Sequence, residues 1–308
     1  MSQRMPEVVN ILSISGGKDS TALWLYALEK HIENLTPIFA DTGHEHPKTY
    51  EYIDYLQEEL GEITIVKPDF SERIENKRNY VQTKWREEGI SEKIIRDALE
   101  VLHPTGIPML DLAIWKGRFP STRARFCTQE LKVMPIMEQI YMPLFEQGEH
   151  VVSWQGVRAQ ESITRAKLPE REETPEGFEI YRPLIRWTAD DVFAMHDKHG
   201  IKPNPLYKEG MSRVGCMPCI NSGKAEIFEI ARRYPEEIER VAEWEKIVAK
   251  ASKRGGASFF PHDDIAGKGI FEYVEWSKTS FGGRQYDLEK LIGFEDVPVC
   301  SSQYGLCE

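Results

Sequence analysis

A glycine turn near the amino terminus has the residue types of an anion-binding loop. Its members are Ser15, Gly16, Gly17, Lys18, Asp19 and Ser20. The turn lies between an apolar run and a helical pattern, so its backbone N–H groups should face a ligand at the start of a helix. The glycines let a phosphate approach the backbone, the serines add hydroxyl donors and Lys18 adds a charge. Asp19 is a candidate ligand for a Mg²⁺ ion that shields the phosphates.

Five cysteines form the second candidate site. Cys216 and Cys219 make a C-x-x-C pair, Cys127 lies in a separate segment, and Cys300 and Cys307 lie near the carboxyl end. A single C-x-x-C is compatible with a redox pair, half a zinc site or half an iron–sulfur site. No His-x-x-x-His or second C-x-x-C completes a zinc site, and small buried thiols are the plain alternative.

Basic residues precede Cys127 without an intervening acid. They are Lys116, Arg118, Arg123 and Arg125. On an acidic chain this strip favours an anion pocket, for the phosphates of a nucleotide or a short stretch of nucleic acid backbone, over a solvated charged face. His44 and His46 follow the second predicted strand, and we expect them to line the site or to face solvent.

Composition narrows the class of protein. The chain has 308 residues, with 50 Asp+Glu against 39 Lys+Arg and a net charge of −11, which argues against a protein that coats nucleic acid or an anionic membrane. No apolar run approaches the roughly 18 residues of a membrane span. The first residues lack an apolar signal core, which predicts a cytoplasmic protein. Five cysteines are too few for a disulfide scaffold.

Apolar runs alternate with helical patterns along the chain. We predict strands at residues 8–14, 38–40, 63–66 and 151–154, and helices at 19–32, 50–60 and 188–199 and from 235 onward. This alternation predicts an α/β fold with a parallel sheet and helices on both faces. A nucleotide-binding domain is predicted over 1–220, and a helical, then irregular, extension over 221–308. An insertion at about 67–149 should form a lid or a side of the site.

The hexapeptide at 15–20 resembles the PP-loop of the ATP-pyrophosphatase superfamily. Three further segments resemble the phosphoadenosine-phosphosulfate (PAPS) reductase family within it: an Asp-Thr-Gly turn at 41–43, a Gly-x-Arg, Glu-Ser, Arg block at 156–165, and a Pro-Leu, Trp, Asp segment at 183–191. The matches run from about residue 8 to 220. The pattern is also similar to prophage-encoded members and to DNA phosphorothioation proteins. The resemblance implies a Rossmann-like, adenine nucleotide alpha-hydrolase-like fold.

The resemblance also implies roles for single residues. The loop would bind phosphates, with Lys18 and Asp19 catalytic. Asp41 and Gly156 would lie beside the nucleotide, and Arg125 is a further candidate for binding it because it belongs to the basic strip. Arg158 and Arg165 would bind its phosphate, sulfate or acyl-phosphate end, because paired arginine donors suit tetrahedral oxyanions. The alternative for these two arginines is that they bridge Glu161 or other acids at the surface.

The cysteine segments resemble the two cluster-binding segments of adenylylsulfate reductases. This implies a 4Fe–4S cluster on Cys127, Cys216 and Cys219, with zinc as the alternative. Those reductases have two adjacent cysteines where this chain has Phe126 and Cys127. The fourth ligand is then Cys300 or Cys307, or the fourth iron is open.

The intact loop separates three candidate functions. Superfamily members that cleave ATP between the α and β phosphates have this loop, whereas sulfonucleotide reductases have an altered one. We therefore predict cleavage of ATP to AMP and pyrophosphate, with Mg²⁺, to adenylate a substrate in sulfur transfer from a donor such as a cysteine desulfurase. The alternatives are a thiol-dependent PAPS or adenylylsulfate reductase served by thioredoxin, and a nucleotide-binding module without turnover. Metabolite, tRNA and DNA acceptors all use the same loop chemistry.

Overall fold

Six strands form one sheet in the computed structural model, which describes residues 7–260 and 269–279. The strands are β1 (Val8–Ile14), β2 (Leu35–Ala40), β3 (Thr64–Val66), β4 (His150–Trp154), β5 (Arg171–Glu173) and β6 (Glu179–Tyr181). Their order is β3-β2-β1-β4-β6-β5. β5 alone is antiparallel, and it pairs with β6 at one edge. The predicted parallel arrangement is therefore confirmed for the other five strands. β5 and β6 were not predicted, because they are only three residues each and β5 is wholly charged.

Helices occupy most of the remaining described chain. They are α1 (Lys18–Glu29), α2 (Pro47–Leu60), α3 (Ser71–Glu87), α4 (Glu92–Val101), α5 (Pro108–Lys116), α6 (Phe126–Thr128), α7 (Met134–Ile136), α8 (Met142–Glu146), α9 (Ile163–Ala166), α10 (Ala189–His199), α11 (Lys224–Arg233), α12 (Pro235–Ala251) and α13 (Ile270–Ser277). Within the described ranges, none of these helices has both the length and the apolar character needed to span a membrane.

Apolar clusters cover both faces of the sheet. On one face, Leu12 of β1 shares a cluster with Leu25 of α1 and Val192 of α10. On the other face, Ile11 shares a cluster with Tyr141 from the segment at 126–146. Neighbouring residues of β1 thus point to opposite faces, as the strand repeat requires. The predicted α/β fold with helices on both faces is confirmed.

A third apolar cluster lies beside the sheet and joins two parts of the chain. Trp85 and Leu112, from the predicted insertion, share it with Val241, Val248 and Phe259 from the predicted extension. The apolar side of α12, formed by Val241, Trp244 and Val248, is buried in this cluster. The insertion and the extension therefore have one core in common, and the domain boundary at residue 220 stays a prediction.

The segment at 126–146 combines α-helical and π-helical turns. π-turns at Gln129–Val133 and Met137–Tyr141 separate α6, α7 and α8. Pro135 lies in α7 and Pro143 in α8. A proline within a helix removes a backbone donor and crowds the preceding turn, so wider turns next to both prolines have a local cause. Pro135 thus lies between the two π-turns.

The strand order places a crevice at the carboxyl ends of β1 and β4. The chain runs from β1 through β2 to β3 on one side and then returns to form β4 on the other side of β1. In open parallel sheets, ligands bind where the order reverses in this way. The loop at 15–20 follows β1, and Gly156 follows β4, so both lie at this reversal.

Candidate functional site

The loop at 15–20 connects β1 to the start of α1, as predicted. Gly16 has a φ of +79°, and a Cβ atom there would lie 2.8 Å from Thr49 Cγ2, so only glycine fits this position without strain. The Ser15 N–H donates to Ser20 Oγ at 3.2 Å, and the Gly17 N–H faces Ser15 Oγ at 3.3 Å. The loop is thus closed by its own hydroxyl groups against the first turn of α1.

A buried ion-pair network joins the loop to the chain after β4. The Asp19 side chain is fully buried. Its Oδ2 accepts from Lys18 Nζ at 2.6 Å and its Oδ1 from Arg158 Nε at 2.5 Å. The structure therefore brings three predicted site residues together. Both carboxylate oxygens of Asp19 contact cations, so its predicted Mg²⁺ contact stays a prediction.

Gly156 lets the chain after β4 approach the start of α1. A Cβ atom at Gly156 would lie 3.1 Å from the carbonyl atoms of Asp19 and 3.2 Å from Ser20 N. These neighbours are backbone atoms, which cannot move aside as a flexible side chain would. The glycine therefore allows the close packing that brings Arg158 to Asp19.

Arg165 lies in α9, and it is buried against an acid. It forms an ion pair with Glu161, whose carboxylate also accepts from the Arg158 backbone N–H at 2.8 Å. The alternative interpretation, in which these arginines bridge Glu161 or other acids at the surface, is thus correct about the contact between Arg165 and Glu161. It is wrong about exposure, because both arginines are buried rather than at the surface.

Asp41 belongs to a second polar network at the end of β2. Its Oδ1 accepts from the Tyr50 hydroxyl at 2.7 Å and from the Gly43 N–H at 2.9 Å. Glu45 Oε2 lies 3.0 Å from the same hydroxyl. Burial, with both carboxylates nearby, raises the pKa of Tyr50 above its ordinary range. Sequence reasoning missed Glu45 and Tyr50, although both follow closely on the Asp-Thr-Gly turn.

Three predicted cysteines line one cavity at the ends of β1 and β2. Cys127 approaches it from α6, and Cys216 and Cys219 from the loop before α11. Ser15 also lines this cavity, so the thiols lie next to the loop at 15–20. Cys216 Sγ lies 3.8 Å from Glu45 Oε1. Over residues 7–260 and 269–279, no group of three or more His, Cys, Asp or Glu side chains is arranged to hold a metal ion.

Two of these thiols have raised pKa values. Burial, with Cys219 nearby, raises the pKa of Cys127 to about 11. Burial and the Glu45 carboxylate raise the pKa of Cys216 above that of an ordinary thiol. Both groups are therefore neutral near pH 7 in this arrangement. Because thiolates are the nucleophiles and metal ligands, reaction at these cysteines needs a cation or a base nearby.

The predicted basic strip is partly neutralised. Glu130, which lies beyond Cys127 in sequence, accepts from Lys116 Nζ at 3.0 Å, and it also pairs with Arg73. Arg118 lies over the Phe126 ring at 5.4 Å. Arg125 Nε donates to Thr122 O at 2.9 Å. No acidic residue interrupts the basic strip in the sequence, but the fold brings Glu130 against Lys116. The anion pocket stays a prediction.

The two histidines are buried in the described structure. His44 has no exposed surface and His46 is 5% exposed, so the expectation of a solvent-facing role is wrong. His46 Nδ1 accepts from the Lys48 N–H and so caps α2. His44 contacts the loop between Cys216 and Cys219. Cys300 and Cys307, the predicted fourth ligands, lie outside the described residues.

Residues from α10 and from the chain after it form hydrogen bonds with the backbone of the loop at 15–20. These residues were not identified from the sequence. His196 Nε2 lies 2.9 Å from Lys18 O, and Asn204 Nδ2 donates to Gly16 O at 3.1 Å. The Tyr207 hydroxyl accepts from the Lys18 N–H at 3.0 Å. These contacts span about 180 residues in sequence, so no local pattern could have indicated them.

We expect Gly16→Ala to lower the free energy of unfolding by about 1–2 kcal/mol from its left-handed backbone alone, with a further cost from the contact with Thr49. Urea unfolding measures the total. Adding Thr49→Ser removes the methyl group that the new Cβ would meet, so the double variant should recover only the steric part. Equal stability of Gly16→Ala and the wild type would contradict the strained conformation.

This fold and site define an open, mostly parallel α/β protein with a glycine loop, residues 15–20, at the switch point of its sheet. Residues 9–222 match the family model described as "Phosphoadenosine phosphosulfate reductase domain", and the chain belongs to that family. The family identified from the sequence is thus confirmed. Its members are enzymes, which supports nucleotide-related sulfur chemistry for this chain.

Individual relatives differ in how much of the chain they match. An uncharacterized 37.8 kDa protein in the gpa 5′ region of Escherichia phage 186 is 50% identical over 97% of both chains. An adenosine 5′-phosphosulfate reductase of Allochromatium vinosum is 42% identical over 65 residues, which is 21% of this chain and 25% of that protein. A crystal structure of PAPS reductase from Candida auris, in a phosphate complex, covers 70% of this chain and 83% of its own, with 18% identity and a TM-score of 0.42.

Proposed function

We propose that the protein binds ATP at the carboxyl ends of β1 and β4 and cleaves it to AMP and pyrophosphate, to adenylate a substrate for sulfur transfer. One observation carries this proposal. The loop at 15–20 is intact, and its Lys18 and Asp19 are held with Arg158 in one buried network. Ser15 of the same loop lines the cavity that also holds the three thiols. Nucleotide and sulfur chemistry would therefore meet at one place.

In this proposal the chain acts by positioning and by neutralising charge. The loop N–H groups and the hydroxyls of Ser15 and Ser20 bind phosphate oxygens, and Lys18 and Arg158 offset the charge that develops on the leaving pyrophosphate. Asp19 keeps these two cations in place. Adenylation by this route needs no covalent nucleophile from the protein. Mg²⁺ would accompany the nucleotide phosphates.

In this proposal, residues around the network bind the remaining phosphate groups and the adenosine part of the nucleotide. Arg165 and Arg125 would take the phosphate or acyl-phosphate end. Asp41 would lie near the nucleotide on the β2 side, where Tyr50 orients its carboxylate. Gly156 would keep the backbone close to the loop.

Cys127, Cys216 and Cys219 would hold an iron–sulfur cluster in this proposal. The three thiols border one cavity, which Lys132 and Arg213 also line, and over the described residues they are not arranged to hold a single ion. This donor set suits a group with separate attachment points, each iron taking its own thiolate, better than a single tetrahedral ion. A bound cluster would supply a place to carry sulfur. A reducing compartment such as the cytoplasm, and a sulfur donor such as a cysteine desulfurase, follow from the same proposal, and a nucleic acid acceptor fits it too.

A thiol-dependent reductase of PAPS or adenylylsulfate is the second candidate. The family match and the 65-residue similarity to an adenosine 5′-phosphosulfate reductase favour it. In that function the nucleotide would occupy the same crevice, and a cysteine thiolate would attack its sulfur and displace the adenine nucleotide, which leaves a cysteine S-sulfonate. Thioredoxin would then reduce this S-sulfonate, releasing sulfite and restoring the thiol. A module that binds the nucleotide without turnover would use the same crevice, but it would form no product.

Product analysis separates these functions. Anaerobically purified protein is incubated separately with ATP, PAPS and adenylylsulfate, with cysteine plus a desulfurase as sulfur donor, and with total tRNA or DNA as acceptor. AMP and pyrophosphate from ATP support the proposal, whereas sulfite from either sulfonucleotide supports the reductase. Calorimetric binding without any product supports the module. Iron, sulfide and zinc contents of the wild type and Cys127→Ser test the cluster separately.

A further inference from the structure

The loop between Cys216 and Cys219 is held by His44 and by Arg240, and Arg240 lies outside the family match. The match ends at residue 222, whereas Arg240 and Trp244 belong to α12 and Phe259 follows that helix. These residues meet His44, which follows β2. The C-terminal extension thus reaches the cysteine loop, directly through Arg240 and indirectly through His44.

Every polar backbone group between the two cysteines has a partner. Met217 and Pro218 offer one N–H and two carbonyl oxygens, because proline has no N–H. The Met217 N–H donates to His44 O at 2.9 Å. Arg240 Nη2 donates to Met217 O at 3.0 Å, and His44 Nε2 lies 2.9 Å from Pro218 O. His44 and Arg240 therefore provide the hydrogen-bond partners of all three polar backbone groups of Met217 and Pro218.

The His44 ring fits this arrangement in one tautomer. It is fully buried, with ring centroids 5.0 Å from Trp244 and 5.6 Å from Phe259. Burial, with Arg240 nearby, lowers the pKa of His44 to about 3, so the imidazole is neutral. Its Nδ1 accepts from Arg240 Nη2 at 3.1 Å, because arginine only donates. Nε2 then carries the hydrogen and donates to Pro218 O.

We propose that Arg240 and His44 are positioning residues for the cysteine site, and that the C-terminal extension completes this site through them. Arg240 is itself oriented by an ion pair with Glu237 one turn earlier on α12. With the backbone of the connection held on this side, Cys216 and Cys219 line the cavity beside Cys127. The role concerns the thiols themselves and does not depend on which nucleotide the protein uses.

Alkylation rates of single cysteines test this role. The full-length chain is treated anaerobically with a chelator, and iodoacetamide labelling of each cysteine is followed by mass spectrometry. Arg240→Leu and His44→Leu should speed labelling of Cys216 and Cys219 by roughly 10- to 100-fold, because a charge-assisted or buried hydrogen bond no longer opposes local opening. Cys127 should change by less than about twofold, since its helix is not held by this pair.

Conservative variants separate positioning from general loosening. Arg240→Lys retains donors, and the amide of His44→Gln donates and accepts as the imidazole does, so both should label close to the wild-type rate. Arg232→Leu, which changes an exposed arginine on α11, is the matched control and should label as the wild type. Equal acceleration at all three cysteines, or none in Arg240→Leu, would overturn the proposal. If His44→Leu does not fold, Arg240→Leu against Arg240→Lys decides it.

Discussion

Replacing Asp19 with alanine is expected to lower the free energy of unfolding by about 3–5 kcal/mol, because it leaves a buried charge without its partner. Asp19 has no exposed side-chain surface, and the Arg158 side chain is only 6% exposed. The Arg158 guanidinium also donates to the neutral amide oxygen of Gln160 at 3.1 Å. A water molecule cannot supply the negative charge of the lost carboxylate, so the buried Arg158 is left without an opposite charge.

Urea unfolding of matched variants tests this expectation. Lys18→Ala removes the other cation of the network, but the Lys18 side chain is 15% exposed and Arg158 still neutralises Asp19. Its cost should therefore be smaller than that of Asp19→Ala. Asp19→Asn retains the shape and an acceptor oxygen, so it should fall between the two. A loss of less than about 1 kcal/mol in Asp19→Ala would show that the network is solvated in solution.

The local parts of this site could be predicted from the sequence because their signals lie within a few residues. The glycines at 16 and 17, followed by Lys18 and Asp19 at the start of a helical pattern, indicate a strand, an anion-type loop and a helix. Thr188 and Gly200 indicate both ends of α10, and the structure has a capping box at Thr188 and a left-handed Gly200. Local backbone preference decides these features.

The partners within the site could not be predicted in the same way. Asp19 and Arg158 are 139 residues apart, and the contact of His44 with Pro218 spans 174 residues. Side-chain type does not reveal such pairs, because a histidine after a strand is equally compatible with solvent, a ligand or a buried hydrogen bond. The family model ends at residue 222, so the approach of the extension to the cysteine loop became visible only through the fold.

The second large effect is expected at Lys18. Replacing it with alanine should reduce nucleotide turnover by about 100- to 1,000-fold, the usual loss when one preorganised charge or donor is removed from a developing negative charge. Its ammonium group lies at the start of α1 and is the loop's only side-chain cation. The loss should appear in kcat as well as in kcat/KM, because the leaving group gains charge during the reaction.

Steady-state kinetics on whichever nucleotide yields product measure this effect. Lys18→Arg retains the charge with a different shape and should lose less activity than Lys18→Ala. Lys246→Ala, an exposed lysine on α12 with a side chain 69% exposed, is the matched control and should turn over as the wild type. Calorimetric binding of the nucleotide and urea unfolding of Lys18→Ala distinguish lost catalysis from lost binding or folding. Unchanged turnover in a folded Lys18→Ala protein would exclude the loop from the chemistry, and with it the proposed cleavage of ATP.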